Sequence, residues 1–351
     1  MIMPDVRQRV MLAPYTTLKV GGPAEYFAIA KSEEEMAALA GFARERGLEF
    51  TVIGGGSNIL VSDDGIQGLV VKNEIKGVSS EVDGERVFLK AGSGEIWDDV
   101  VAHSVEAGWG GLENLSAIPG TVGATPVQNV GAYGIEVGEV IASVRVLDIT
   151  TGEISEIPAT DCRFGYRDSV FKNEAGRDLI ILSVTYVLSR MPAPRLHYRD
   201  LEARFAEHGP VQVSVSKVRA VVMDIRSGKF PDWKNIGTAG SFFKNPIVSV
   251  SDHERLVDIY PGLPAYTDGE GRMKLSLGWI LDHVCALRGY REGNVGLYER
   301  QALVLVNRGG ATASEIKNFS KKIREKVFEK TDIEIEMEVR MLGFDESNSK
   351  K

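Results

Sequence analysis

A glycine-rich loop that leads from one strand into another constrains this sequence most. The stretch "TVIGGGSNIL", residues 51–60, places three consecutive glycines directly after a β-branched run. Backbone N–H groups in such a loop can bind a phosphate. A P-loop is excluded because the loop has no lysine. A GxGxxG fingerprint is excluded because "NILVSDDGIQGLVV" predicts strand, turn and strand instead of a helix. A ligand-free tight turn and a phosphate cradle remain open.

The length and composition limit the class of protein. A chain of 351 residues predicts two or three domains. The net charge of −8 argues against a nucleic-acid partner. The sequence contains no run of 18 apolar residues and begins with no apolar leader, so we expect a cytoplasmic protein without a membrane span. The tail "DESNSKK" is expected to be disordered.

Cysteine and histidine usage predicts neither a disulfide framework nor a metal site. Cys162 and Cys285 are too few for a disulfide scaffold, and each is more typical of a small core residue than of a nucleophile. The histidines are scattered and form no pair with metal-ligand spacing. They are His103, His197, His208, His253 and His283.

Helical and strand patterns alternate along the chain. "EYFAIA", a helix over 32–47 and "LEFTVI" form a βαβ unit, which places the glycine loop at the C-terminal end of a strand. Further helices are predicted over 94–108, 275–289 and 311–331. The helix over 311–331 has a capping box and an apolar stripe formed by Ile316, Phe319, Ile323 and Val327.

Two further segments have distinctive sequence patterns. Residues 108–134 are rich in glycine, have no sustained periodicity and are too apolar for a linker, so we expect them to wrap a ligand. Residues 333–342 alternate strictly as a strand. Its polar face carries Glu334, Glu336, Glu338 and Arg340, which by itself is typical of a solvated face.

Two short motifs could carry chemistry. In "YRDSVFK", Arg167 belongs either to a surface turn with an ion pair or to an arginine fork for a carboxylate or phosphate. In "GTAGSFFKNP", Ser241 lies between glycine and two phenylalanines. It is not a nucleophile elbow and has no histidine nearby in sequence, but a held serine can donate a proton.

Seven motifs together resemble one family. They are "TLKVGGPAEYF", "VIGGGSNIL", "LENLSAIPGTVGATPVQNVGAYG", "FGYRDSVFK", "TAGSFFKNP", "RQALVLVN" and "EMEVRMLG", in this order. The sequence resembles the UDP-N-acetylenolpyruvoylglucosamine reductases, flavoenzymes of bacterial peptidoglycan synthesis, over about residues 15–344. "LHYRDLEARF" resembles a segment of the longer, type I form. Departures are small: "TAGS" stands where "NAGS" is common, and "ERQAL" where "HRQAL" is frequent.

The resemblance implies an α+β fold of three domains. Two would form an FAD-binding unit of the vanillyl-alcohol oxidase (PCMH) type, and the third would be a mixed α/β substrate-binding domain. The expected boundaries are 1–76, 77–229 and 230–335, with 336–351 returning to the first domain. That return would bring the glutamate-lined strand beside the flavin.

The implied reaction is the NADPH-dependent, FAD-mediated reduction of UDP-N-acetylglucosamine enolpyruvate to UDP-N-acetylmuramate. FAD would be bound non-covalently, and the protein would be a monomer with small-molecule partners only. A hydride would pass from N5 of the reduced flavin to C3 of the enolpyruvyl ether, and a proton would reach C2. The substrate carboxylate makes the ether a conjugate acceptor only if preorganised donors stabilise the developing charge.

The resemblance also assigns residues to these steps. Arg167 and Glu338 would stabilise the carboxylate, and Glu338 would carry a proton, which burial favours. Ser241 would protonate C2. The implied FAD-binding residues are Gly54, Gly55, Gly56, Ser57, Asn58, Gly120, Thr121, Gly123 and Arg340. The implied substrate-binding residues are Tyr133, Tyr198, Lys229, Asn245 and Gln301.

Two other functions are compatible with parts of the pattern. An FAD-dependent oxidase of the same superfamily would act on another substrate and react rapidly with oxygen. A non-catalytic nucleotide-binding module would need the glycine loop. Neither gives Arg167, Ser241 and Glu338 a common purpose.

Overall fold

The computed structural model describes residues 4–206 and 213–344, so the tail predicted to be disordered, 345–351, lies outside the described residues. The chain divides into two compact units. Unit 1 comprises the residues up to Val10, Ala24–Gly55 and Gln67–Ser227. Unit 2 comprises Met11–Pro23, Gly56–Ile66 and the residues from Gly228 onward. The three-domain boundaries stay a prediction.

The secondary structure is mixed throughout. The helices are α1 (Glu33–Arg46), α2 (Trp97–Glu106), α3 (Arg199–Phe205), α4 (Val215–Lys229), α5 (Val250–Ile259), α6 (Leu277–Trp279) and α7 (Ala313–Thr331). The strands of the first half are β1 (Arg7–Met11), β2 (Pro23–Ala30), β3 (Phe50–Ile53), β4 (Ile59–Val61), β5 (Ile66–Asn73), β6 (Val78–Asp83), β7 (Arg86–Gly92), β8 (Gly131–Ala132), β9 (Ile135–Glu136) and β10 (Ile141–Asp148). Those of the second half are β11 (Ile154–Pro158), β12 (Leu179–Ser189), β13 (Gly237–Ser241), β14 (Ile247–Val248), β15 (Ala265–Thr267), β16 (Met273–Leu275), β17 (Arg291–Glu292), β18 (Val295–Tyr298), β19 (Gln301–Asn307) and β20 (Arg340–Leu342). Within the described ranges, every helix is too short or too polar to cross a bilayer.

The first sheet of unit 1 has the strand order β1-β2-β5-β3, and α1 packs against it. The helix begins at Ser32, whose side chain accepts a hydrogen bond from the Glu35 N–H (3.2 Å). It ends at Gly47, whose left-handed backbone (φ 62°) suits glycine. The predicted strand–helix–strand unit is present, with β5 between β2 and β3. The buried face of α1 consists of Met36, Leu39, Ala40 and Ala43.

The second sheet of unit 1 is antiparallel, in the order β11-β10-β12-β7-β6. The predicted hairpin at Thr151-Gly152 joins β10 to β11, and Gly152 has φ 80° as such a turn requires. Helix α2 packs on this sheet through Trp97, whose ring lies 5.6 Å from that of Tyr186. The start of α2 is therefore anchored to this sheet by the buried ring of Trp97.

Unit 2 is built around the sheet β13-β19-β18-β17, against which α7 packs. The predicted apolar stripe of α7 is confirmed, since each of its four residues is at most 2% exposed. The predicted capping box is also confirmed: Thr312 accepts from the Glu315 N–H, and Glu315 accepts from the Thr312 N–H. A smaller sheet of β14, β16 and β15 adjoins the same core.

The helix predicted over 275–289 is wrong in length. Helix α6 covers Leu277–Trp279 and continues as a single π-helical turn over Ile280–Val284. The turn closes with a hydrogen bond from the Cys285 N–H to the Ile280 carbonyl (3.0 Å). Ala286 then adopts φ 52°, which a right-handed helix cannot continue through.

The ten-residue strand predicted over 333–342 is also wrong in length. Its alternation is real, because Ile333, Ile335 and Val339 are buried. Regular strand pairing is nevertheless confined to β20, with one isolated bridge between Met337 and Phe243. An alternating pattern predicts which face is buried, but strand assignment also requires a continuous neighbour, which this segment lacks.

Asp63 caps the N-terminus of α7 from a distant position in the sequence. Its two carboxylate oxygens accept hydrogen bonds from the backbone N–H groups of Ala313 (2.7 Å) and Ser314 (2.8 Å). Burial opposes ionisation of Asp63, but the hydrogen bonds from Ser314 and Ala313 outweigh burial and lower the pKa of the carboxyl. The carboxylate also complements the positive end of the helix dipole.

We expect Asp63→Ala to lower the free energy of unfolding by about 1 kcal/mol at neutral pH, a value kept modest by solvent exposure. Since the folded-state pKa lies below the unfolded value, the contribution is full above the ordinary carboxyl pKa and is lost as the pH falls through the folded-state value. Thermal unfolding followed from pH 7 into acid measures this. Asp64→Ala, at the exposed neighbouring position, is the control, and an equal loss in both variants at every pH would contradict the capping role.

Candidate active site

In unit 1 the structure brings two of the predicted FAD-binding segments into direct contact. A Cβ on Gly55 would lie 2.8 Å from the Gly120 Cα, and one on Gly54 would lie 2.4 Å from the Thr121 Oγ1. Only residues without a side chain allow this approach. The glycine loop at the end of β3 and the loop at 120–121 therefore form one side-chain-poor surface, at the strand end where α/β proteins place ligands.

The loop at 120–123 is itself fixed by the residues that precede α2. The Gly120 carbonyl accepts from the Trp97 N–H (3.1 Å), and the Gly123 N–H donates to the Ser93 carbonyl (2.8 Å). A Cβ on Gly123 would lie 2.7 Å from the Ser93 Cβ. Gly123 is thus required for the packing of this loop against residue 93.

Sequence reasoning missed a lysine that binds the glycine loop. Lys72 of β5 pairs with Ile53, the last residue of β3, and its Nζ donates a hydrogen bond to the Gly54 carbonyl. Burial lowers the pKa of Lys72. The loop has no lysine of its own, and only the β3–β5 pairing brings one to it.

In unit 2, Gly56 and the residues after it are tied to other segments of the same unit. Gly56 has φ 66°, and its carbonyl accepts from the backbone N–H (3.0 Å) and the Oγ1 (3.2 Å) of Thr17. A Cβ on Gly56 would lie 2.0 Å from the Tyr15 carbonyl oxygen. Ser57 and Asn58 follow directly and lead into β4.

The returning C-terminal segment meets this stretch in unit 2. Strand β20 pairs in parallel with β4, and the Arg340 N–H donates to the Asn58 carbonyl (3.0 Å). The Asn58 side-chain amide donates to the Glu338 carbonyl (3.2 Å). The backbones of Glu338 and Arg340 are therefore held directly beside Asn58.

Ser241 and Glu338 are brought together in the same unit. Ser241 is the last residue of β13 and is half-buried. The next carbonyl, that of Phe242, accepts from the Glu338 N–H (2.9 Å). Phe242 and Phe243 are fully buried with ring centroids 5.3 Å apart, so they anchor the backbone that follows the serine.

Two predicted substrate residues, Asn245 and Gln301, lie against α6. The Asn245 Oδ1 accepts from the Leu277 N–H at the start of α6 (3.0 Å). A Cβ on Gly278 would lie 3.0 Å from the Gln301 Oε1. Thr238 is the first residue of "TAGS", which stands where "NAGS" is common in the family. Its hydroxyl donates to the Leu305 carbonyl (2.9 Å) and accepts from the Gly240 N–H (3.1 Å). These two hydrogen bonds fix the turn before Ser241.

Arg167 and Tyr133 lie close together in unit 1. The Arg167 guanidinium donates from Nη2 to the carbonyl of Gly131, two residues before Tyr133 (2.9 Å). Arg167 (φ 54°) and Tyr133 (φ 50°) both have left-handed backbones, which side chains of this size rarely adopt. Such strain persists only where the surrounding structure enforces it, as at functional sites.

Tyr198 completes this cluster, with its ring in edge contact with that of Tyr133 at 5.3 Å. Tyr133 is buried among residues of α3 and α4, whereas Tyr198 is 39% exposed. Lys229 is the last residue of α4 and is half-buried.

The thiols are poor nucleophiles. Burial raises the pKa of Cys162 to about 11 and that of Cys285 to about 11, so little thiolate exists at neutral pH. Cys162 lies in a core, as the sequence predicted, and the half-buried Cys285 packs against one. Over residues 4–206 and 213–344, no group of three or more His, Cys, Asp or Glu side chains is arranged to hold a metal ion.

Comparison with known proteins identifies the family. A model described as "FAD binding domain" matches residues 24–157, and one described as "UDP-N-acetylenolpyruvoylglucosamine reductase, C-terminal domain" matches 232–342. The reductase of that name from Pseudomonas putida is 41% identical over 95% of this chain and 97% of its own length. The chain belongs to the UDP-N-acetylenolpyruvoylglucosamine reductase family. The recognised resemblance is thereby confirmed.

Other members of the reductase family are equally similar. The Pseudomonas aeruginosa protein is 42% identical over 95% of this chain and 98% of its own length, and the Neisseria gonorrhoeae protein is 41% identical over 97% and 98%. The crystal structure of the Thermus caldophilus reductase matches with a TM-score of 0.68 at 24% identity, covering 97% of this chain and 100% of that one. The predicted α+β fold is confirmed.

The residues fit the flavin that the reductase family implies. The glycine loop and the 120–121 loop form a backbone surface with few side chains, as close approach to a pyrophosphate requires. The family membership does not depend on the roles that the resemblance assigns to individual residues, and those roles are proposals. The chain is a flavin-dependent oxidoreductase with an FAD-binding domain.

We expect Gly55→Ala to weaken FAD binding about tenfold or more, since moving the 120–121 loop by the distance a Cβ needs costs at least about 1.4 kcal/mol. The neighbour that the new methyl group meets is backbone, which cannot rotate away. FAD affinity of the apoprotein, from flavin fluorescence titration, is the measurement.

Gly41→Ala is the matched control for this variant. A Cβ there meets nothing within 4 Å, and the residue lies inside α1, where alanine favours the helix. Wild-type FAD affinity in Gly55→Ala, or the same loss in Gly41→Ala, would refute the packing argument.

Proposed function

We propose that this chain catalyses the NADPH-dependent, FAD-mediated reduction of UDP-N-acetylglucosamine enolpyruvate to UDP-N-acetylmuramate. The observation that carries the proposal is its 41% identity, over 95% of its length, to a protein named for this reductase activity. The juxtaposition of Ser241 and Glu338 by the 2.9 Å hydrogen bond between Glu338 N–H and Phe242 carbonyl supports it. The proposed setting is cytoplasmic peptidoglycan synthesis by a monomer.

Arg167 and Glu338 are proposed to stabilise the substrate carboxylate. A vinyl ether accepts a hydride at C3 only when negative charge can spread onto the conjugated carboxylate, so donors aimed at that group lower the barrier. A guanidinium provides two parallel donors for a carboxylate. The backbone of Glu338, the other proposed donor, is fixed at Asn58 and Phe242.

Ser241 is proposed to deliver the proton to C2. A serine hydroxyl needs no histidine partner for this role, because it acts as an acid toward a basic carbon and not as a nucleophile. Its position at the end of β13, before two fully buried phenylalanines, limits its movement. Pre-organisation of this kind lowers the barrier without reorganisation during the reaction.

The other residues implied by the resemblance are proposed to bind FAD and the UDP-sugar substrate. FAD would lie against Gly54, Gly55, Gly56, Ser57, Asn58, Gly120, Thr121, Gly123 and Arg340, bound non-covalently. Tyr198 and Asn245 would bind the pyrophosphate of the substrate, and Lys229 would lie near the substrate and the nicotinamide. Tyr133 and Gln301 would line the substrate pocket. The chemistry that bound FAD supplies is two-electron transfer from NADPH to C3 of the substrate.

The proposed activity is tested by NADPH oxidation with and without UDP-N-acetylglucosamine enolpyruvate. We expect turnover that depends on the sugar nucleotide and yields UDP-N-acetylmuramate. Rapid NADPH-independent reoxidation by oxygen with another substrate, and no response to the sugar nucleotide, would instead indicate an oxidase. A protein that binds no FAD would exclude both.

We expect Ser241→Ala to keep flavin reduction by NADPH near the wild-type rate and to slow substrate reduction roughly 10³-fold, equivalent to about 4 kcal/mol in the barrier. Stopped-flow measurement of the two half-reactions separates these effects. Ser251→Ala, at an exposed serine of α5, is the control and should alter neither rate. Equal losses in both half-reactions of Ser241→Ala would contradict the proton-donor role.

A further inference from the structure

We infer that Asn114 is a positioning residue that fixes the backbone on both sides of the Tyr133–Tyr198 ring pair. The inference rests on the proposed function, which gives these two tyrosines to the sugar nucleotide. Asn114 itself is fully buried, so it acts through the tyrosines and does not touch substrate.

The side-chain amide of Asn114 joins two distant segments of unit 1. Its Nδ2 donates to the carbonyl of Tyr133 (2.8 Å) and to the carbonyl of Arg195 (2.9 Å), three residues before Tyr198. Both partners are carbonyl oxygens, which only a donor can satisfy, so the orientation of the amide is determined. One planar group therefore sets the spacing between the two tyrosine segments.

The amide is presented from a rigid support. Asn114 lies in the middle of a single 3₁₀ turn, Glu113–Leu115, whose three residues are all buried. The Trp97 indole N–H donates to the Leu115 carbonyl (2.9 Å), and the Glu113 carboxylate accepts from the Gly111 N–H (2.6 Å). A functional side chain is positioned accurately only when its own supports are fixed, as they are here.

Tyr133 needs such a restraint more than an ordinary residue does. Its backbone is left-handed (φ 50°), and Gly134 after it is left-handed too (φ 84°). The Tyr133 carbonyl is held by Asn114, and the half-buried Arg226 interacts with the Tyr133 hydroxyl and opposes the rise that burial causes in its pKa. The ring is thus held at both ends, and it in turn supports the more exposed ring of Tyr198.

In the part of the chain that the structure describes, the amide of Asn114 is satisfied on its donor side only. Among the described residues, none donates a hydrogen bond to the Asn114 Oδ1, which is buried. A buried carbonyl without a partner destabilises the fold. The contribution of Asn114 therefore lies in its two donors, which the carbonyls of Tyr133 and Arg195 accept.

The test compares Asn114→Ala with Asn73→Ala. Asn73 is another buried asparagine of unit 1 that joins two segments, donating to the Ile181 carbonyl (3.2 Å) and accepting from the Ile75 N–H (3.1 Å). The readouts are the melting temperature, the FAD content, and the dissociation constant of UDP-N-acetylglucosamine enolpyruvate from flavin absorbance titration. If Asn114→Ala does not retain FAD, Asn114→Ser replaces it, since a serine hydroxyl cannot span both carbonyls.

We expect both variants to melt at a lower temperature and to keep their FAD. Only the Asn114 variant should raise the dissociation constant, by about tenfold or more. In a Tyr198→Ala background the same substitution should add less than about threefold, because residues that act through one another are not additive. Wild-type affinity in the Asn114 variant, an equal loss in Asn73→Ala, or full additivity with Tyr198→Ala would overturn the inference.

The outcome for Asn114 can be separated from the outcome for the proposed function. If the wild-type protein neither binds nor reduces the sugar nucleotide, the proposed function fails. If the wild type binds and reduces it while the Asn114 variant behaves identically, the function stands and the positioning role fails.

Discussion

Backbone hydrogen bonds made by the returning C-terminal segment organise the part of unit 2 that contains Ser241 and Glu338. The segment bonds to the carbonyl of Phe242 through Glu338 and to the carbonyl of Asn58 through Arg340. Asn58 adds a side-chain bond to the Glu338 carbonyl. Three stretches that are far apart in sequence are thereby fixed by main-chain contacts, which do not depend on side-chain rotamers. The roles proposed for Ser241 and Glu338 need rigidity of this kind.

In unit 1 the close packing of two loops depends on glycines, which have no side chain. Gly55 and Gly120 approach so closely that a single methyl group would not fit between them. The motif that first suggested a phosphate cradle therefore also serves loop-to-loop packing. Both functions need bare backbone, so the tight-turn and phosphate-cradle interpretations of this loop are compatible with each other.

Backbone strain is present where the proposed substrate residues lie in unit 1. Tyr133 and Arg167 have left-handed backbones, and Arg167 bonds to the strand that precedes Tyr133. A sequence pattern contains no sign of this, because local preferences favour ordinary backbone angles for both residue types. Positions where local preference and observed structure disagree are expected at functional sites, where the rest of the fold enforces the conformation.

The sequence by itself determined the elements with strong periodicity and clear ends. Helices α1 and α7, the β10–β11 hairpin and the buried face of residues 333–342 follow from spacing, caps and turn residues, which act locally. The ordered set of motifs was enough to recognise the family. The residue roles came from that recognition, not from periodicity.

Tertiary structure decided what depends on partners distant in sequence. The π turn after α6 and the short extent of β20 depend on packing and on which neighbours a strand finds. Lys72 reaches the glycine loop only through the β3–β5 pairing, and Asn114 reaches the Arg195 carbonyl 81 residues away. No local pattern encodes such contacts, because their energy exists only once the chain has brought both partners together.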